Sequence, residues 1–149
     1  MIGEKAYLLA TRLRVILSEY PNKLDDKIRN EVYREYLFLL RKAAYSGHLE
    51  AQYDLAQQYE TMSFLAINNP MSNPKKRIYW YTKACERNHP EACNNLASLY
   101  ELGEGCDKNL DLALALYKKS AELGSPNGKE NYKIMIKDMA NGGMYSLHG

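Results

Sequence analysis

Cys85-x3-His89-x3-Cys93 gathers three soft or borderline donors in one short stretch, and Cys106 follows further on. Two chemistries suit such residues. A zinc site needs four donors converging at about 2.0–2.3 Å, and its cysteines are usually spaced by two to four residues. The spacing here is wider, and His89 has a twin, His48, with no cysteine near it. No metal and no other cofactor is therefore expected, and both histidines are assigned to helix starts. The second chemistry is a disulfide. Cys85 near the end of one helix and Cys93 near the start of the next lie within bridging reach across a short turn. The start of the chain does not read as a secretory leader, which favours reduced thiols packed as small apolar fillers. A Cys85–Cys93 bridge is the alternative.

Nucleophilic catalysis has one candidate. Ser72-Asn73-Pro74-Lys75 fits the Ser-x-x-Lys tetrad of penicillin-recognising enzymes. That chemistry needs Ser and Lys one helical turn apart, with Ser-Asp-Asn and Lys-Thr-Gly motifs nearby. Neither motif is present, and Pro74 opens a helix with Ser72 outside it. There is no P-loop, no dinucleotide fingerprint and no Gly-x-Ser-x-Gly. The expectation is a protein without catalytic residues. The basic run Lys75-Lys76-Arg77 reads as a solvated face, and Trp80 as core.

The elements that hold these residues are helices in a repeating order. Lys42–Glu60 aligns with Lys83–Glu101 at a shift of 41 residues, with Ala43/Ala84, His48/His89, Glu50/Glu91, Ala51/Ala92, Leu55/Leu96 and Tyr59/Tyr100 identical. A third copy is shifted by 36 and keeps Tyr81/Tyr117, Lys83/Lys119, Pro90/Pro126 and Asn95/Asn131. The extra residues of the longer period fall in 61–74, read as a loop. Ala92, Leu96, Ala97 and Tyr100 make one helical stripe. Asn73-Pro74 and Ser125-Pro126 are helix starts, and Gly47 and Gly124 are helix ends. Helices are expected at about 4–19, 25–46, 49–61, 74–87, 90–102, 109–123 and 126–140, with no strand. Self-similarity of this length marks stacked helical hairpins.

Composition agrees. Apolar residues make up 46% and charged residues 26%, which is ordinary for a folded soluble chain. The net charge of +2 carries no signature of nucleic-acid or anionic-membrane binding. No apolar run reaches the length of a membrane span. Thirteen tyrosines against two phenylalanines suit a thin architecture in which many rings are half buried. The expected location is the cytoplasm, or the periplasm or exterior if a leader has been removed.

Ala92-x3-Leu96-Ala97-x2-Tyr100-x2-Gly103-x-Gly105, followed by Ala113-x2-Leu116-Tyr117-x-Lys119-Ser120-Ala121-x2-Gly124, resembles the Sel1-like repeat, a relative of the tetratricopeptide repeat. The likeness runs from about Leu39 to Tyr132. It implies an all-α, right-handed solenoid of antiparallel helix pairs. The domain then covers 1–140: a divergent first hairpin at 1–46, repeats at 47–87 and 88–123, and a terminal helix at 124–140. A flexible tail, 141–149, follows. The Cys85/Cys93 spacing also resembles a cysteine-rich secreted branch of the family, in which a bridge staples each repeat.

The resemblance further implies a scaffold that holds a protein or peptide in a concave groove lined by the first helix of each pair. By position the groove residues are Glu50, Tyr53, Gln57 and Glu60; Glu91, Asn94, Ser98 and Glu101; and Asn127, Glu130, Ile134 and Lys137. Their carboxylates suggest a partner with a basic segment. A bacterial adaptor is the first reading. An immunity or inhibitor protein that neutralises a cognate toxin is the second, and a β-lactam-related hydrolase the third. The last helix is expected to expose Ile134, Met135, Ile136 and Met139, an edge suited to dimerisation.

Overall fold

The computed structural model describes residues 1–60 and 72–142. Among these there are seven helices and no strand: α1 Ile2–Glu19, α2 Asp26–Tyr45, α3 Leu49–Gln58, α4 Pro74–Glu86, α5 Pro90–Leu102, α6 Leu110–Glu122 and α7 Pro126–Ala140. The expected loop at 61–71 and all but the first two residues of the expected tail lie outside the described residues. No helix is long and apolar enough to cross a membrane among those described.

Helix starts follow from side chains that accept backbone N–H groups the helix cannot pair itself. Asp25 accepts from Ile28, Asn73 from Lys76, Asn109 from Leu112 and Ser125 from Gly128. His48 and His89 do the same work with a ring nitrogen. His48 Nδ1 accepts from Ala51 N–H at 3.2 Å, and His89 Nδ1 from Ala92 N–H at 3.1 Å. Helix ends recur at one repeat position. Gly47 and Gly124 have φ of +88° and +99°, and Asn88, between them in the repeat, has φ of +67°. Asn tolerates the left-handed region because its short polar side chain bonds locally, so the second copy does without a glycine.

The chain divides into two compact units, Met1–Ser72 and Asn73–Gly149. In the first, α1 packs on α2 and α2 on α3. Small residues, Ala6 and Ala10 on α1 and Ala43 and Ala44 on α2, are fully buried and allow close approach, with Leu17, Tyr36, Leu40 and Leu55 filling the space between helices.

In the second unit α5 touches α4, α6 and α7. Its apolar cluster joins Ala97, Ala113, Tyr117 and Met135, with Tyr100, Leu116, Tyr132 and Met139 packed against it. Met135 is therefore core, 1% exposed, and not part of an open edge as the sequence suggested. The reason is that α7 lies against both α5 and α6 and turns Met135 toward them. Ile134 and Ile136 do remain exposed.

Candidate functional site

The expected groove residues sit on α3, α5 and α7, or just past α3 in the case of Glu60, and each unit presents its own set. In the first unit Glu50 is exposed, and Tyr53, Gln57 and Glu60 are half buried. Gln57 Nε2 donates to the Tyr53 hydroxyl at 3.3 Å. Beneath them lies a polar cluster that sequence patterning did not single out. Asp54, 7% exposed, accepts from the Tyr7 hydroxyl at 2.8 Å and from Arg14 at 3.3 Å. Gln58 donates to the Tyr36 hydroxyl at 3.3 Å and accepts from the Tyr33 hydroxyl at 3.1 Å. Burial, then the negative charge of Asp54, pushes the Tyr7 and Tyr36 phenols well above the usual range. Burial likewise raises Tyr33. All three phenols are neutral at neutral pH, Tyr7 and Tyr33 as donors and Tyr36 as the acceptor from Gln58.

In the second unit Asn131 Nδ2 donates to Asn94 Oδ1 at 2.9 Å, tying α7 to α5. Asn94 donates to Asn95 Oδ1, and Asn95 to the Tyr81 hydroxyl, each at 3.3 Å. The result is a directional row of amides on α5 and α7 that ends on a hydroxyl of α4. Glu91 accepts from the Ser125 hydroxyl and from Asn127 Nδ2. Glu101 accepts from the Tyr117 hydroxyl at 2.6 Å. Two of the carboxylates assigned to a basic partner, Glu91 and Glu101, thus hold α6 or α7 in place. Ser98 is half buried, while Asn127, Glu130, Ile134 and Lys137 are exposed. The repeat alignment held a signal for the amide row, Asn95 over Asn131. Nothing in it paired Glu101 with Tyr117, because the two meet only once α6 is laid on α5.

Cys85 and Cys93 form a disulfide, with Cα atoms 4.7 Å apart. This corrects the expectation of reduced thiols. The turn between α4 and α5 is tight enough to face the two side chains directly, and burial leaves neither sulfur to solvent. With both sulfurs in the bridge and His89 capping α5, Cys85-x3-His89-x3-Cys93 is a structural staple. Lys119 Nζ also donates to the Cys85 carbonyl at 2.8 Å, adding α6 to the same joint. Cys106 is free and half buried. Burial, then Asp107, pushes its thiol up, against the opposing pull of Arg77, which is the wrong direction for a nucleophile. Ser72 lies outside α4, where Asn73 caps the first turn, so Ser72 and Lys75 do not share a helical turn.

The architecture is that of a helical-hairpin repeat protein. Two Sel1 repeats are matched by the family's sequence model, at residues 49–89 and 90–125. The chain belongs to the Sel1 repeat family, whose members commonly serve as protein-interaction scaffolds. It is 27% identical over 122 residues to the rat (Rattus norvegicus) DAP3-binding cell death enhancer 1, an alignment covering 82% of this chain and 22% of that protein. Among solved structures it is similar to a Sel1 repeat protein from Oxalobacter formigenes, with a TM-score of 0.66 and 25% identity over 88% of this chain and 87% of that one. It also shares its fold with cysteine-rich protein B of Helicobacter pylori, with a TM-score of 0.58 and 20% identity, covering 81% and 95% of the two chains.

Proposed function

We propose that the chain is a non-catalytic scaffold that holds a protein or peptide on the exposed side of its first-of-pair helices. The observation carrying this reading is the amide and carboxylate row on α5 and α7. Its side chains are held in one arrangement by bonds between helices, so little rotamer freedom remains to be lost on binding. The name of the rat relative records a protein partner for that protein, which agrees in kind. A basic partner segment would meet Glu50, Glu60 and Glu130 before Glu91 and Glu101, whose oxygens have internal donors. The buried bridge favours an oxidising compartment over the cytoplasm.

Photo-crosslinking in the source cell tests the reading. A photoreactive residue at Ser98 or Glu130 should trap one protein saturably, and the same group at the exposed Lys118 on α6 should not. Equal trapping at all three positions, or none at Ser98 and Glu130, would sink it.

A further inference from the structure

α7 has a side that no described helix covers, and its chemistry differs from the matching side of α5. The two helices correspond at a shift of 36 residues. On α5, Cys93 and Ala97 are fully buried. Ala97 packs with Ala113 and Tyr117 of α6, and Glu101 accepts the Tyr117 hydroxyl of that helix. The matching residues of α7 are Lys129, Lys133 and Lys137, all exposed. They stand one turn apart in succession and form no ion pair among the described residues. Beside them Ile136, the counterpart of Tyr100, is 42% exposed. Two small residues and a carboxylate have become three cations, next to an apolar residue left in solvent.

We propose that this side of α7 docks an acidic amphipathic helix from a partner protein, laid on α7 much as α6 is laid on α5. The inference rests on the scaffold reading but uses a different surface from the amide row. Apolar contact would cover Ile136 and the outer edge of Tyr132, and carboxylates on the incoming helix would meet the lysine stripe. A pair of long helices with one apolar ridge and matched flanking charges is a common recognition mode. Charge also decides against a second copy as occupant. Two α7 helices face to face would oppose each lysine stripe with the same stripe, and like charges so placed disfavour the contact.

The probe is a synthetic helix of about 18 residues, with leucines at helical spacing flanked by glutamates. Its counterpart carries lysine at every glutamate position. Binding to the full chain is read by fluorescence anisotropy. The acidic peptide should bind and the basic one should not, and binding should weaken as salt rises from about 50 to about 500 mM. Lys129→Glu with Lys133→Glu should weaken it by at least about tenfold, with the melting temperature unchanged. The milder pair Lys129→Ala with Lys133→Ala should fall between, and serves if the reversal variant fails to fold. Equal binding of the two peptides overturns the proposal, as does a charge reversal without effect. Concentration-dependent dimers abolished by Ile136→Glu would assign the face to a second copy and overturn it too. So would binding to phosphatidylserine vesicles through these lysines with no binding of the acidic peptide. Crosslinking at Ser98 is unaffected by the α7 variants if only this inference fails.

Discussion

The two units solve one packing problem with opposite chemistry. At the repeat position held by Leu99 on α5 and Met135 on α7, α3 has Gln58, buried to 7% exposure. At the position of Asn95 and Asn131, α3 has Asp54. The first unit therefore builds its interior around a carboxylate, an amide, an arginine and three phenols, each meeting a partner from another helix. The second builds around Ala97, Ala113, Tyr117 and Met135 and adds a covalent staple. A buried polar network tolerates few substitutions, because each lost partner leaves an unpaired buried group. An apolar cluster backed by a disulfide tolerates more. The units should differ in what breaks them.

The sharpest break is expected at Asp54. Asp54→Ala leaves the Tyr7 hydroxyl without its acceptor and Arg14 without its counter-ion, and should cost the first unit about 2–3 kcal/mol, Arg14 being half exposed and able to resolvate. Trp80, the single tryptophan, is buried in the second unit. Urea unfolding followed by its fluorescence should hold its midpoint while the part of the helical circular-dichroism signal that belongs to the first unit melts in an early phase, at lower urea. A shift of both signals together would show that the units do not respond separately. Alkali probes the same cluster. Tyr7, Tyr33 and Tyr36 have raised folded-state values. Their contribution is full below the ordinary phenol value near about 10 and is lost as pH climbs above it. The early phase should then move to lower urea above that pH, and a flat response would contradict the cluster's role.

The bridge is the next largest effect, and it belongs to the second unit. Closing a loop with the sequence separation of 8 between Cys85 and Cys93 is worth about 2.5 kcal/mol in the chain-entropy account. Reduction should lower the Trp80 midpoint and leave the early phase alone. Thiols counted after rapid acid trapping and unfolding should number one, Cys106, against three if the pair is reduced in the cell.

The smallest effect tests the shared device of histidine caps. His89→Ala should cost about 1 kcal/mol through the lost bond to Ala92 N–H, and His89→Asn, which can cap, only a few tenths. The same pair of changes at His48 should cost more in alanine. His48 also pairs with Glu4 at 3.2 Å and stacks on Tyr7, so it ties α3 to α1.

Local chemistry made much of this molecule legible. The helices from Leu49 onward begin where Asn73, Ser125 and the two histidines stand, because a cap acts on N–H groups only two or three residues away. Gly47 and Gly124 end helices for equally local reasons, and the 41- and 36-residue shifts announced the repeat before any contact was known. The first hairpin was harder to read, since only Leu39–Ala44 keeps the pattern.

The site was less legible than the fold. Sequence counted Glu91 and Glu101 as charge for a partner. Their hydroxyl and amide donors lie 16 to 36 residues away on other helices. Tyr7 and Asp54 are 47 residues apart. Cys85 and Cys93 were close enough in sequence to pair, yet the bridge depends on how the turn at Asn88 aims two side chains. The amino-acid sequence by itself determined which segments are helical and how they recur, because capping, periodicity and repeat spacing act over a turn or two of chain. Which polar groups were spent on holding helices together, and which, like Lys129 and Lys133, were left facing outward, only the tertiary structure decided. A hydrogen bond between helices exists only after packing has brought its two ends within reach.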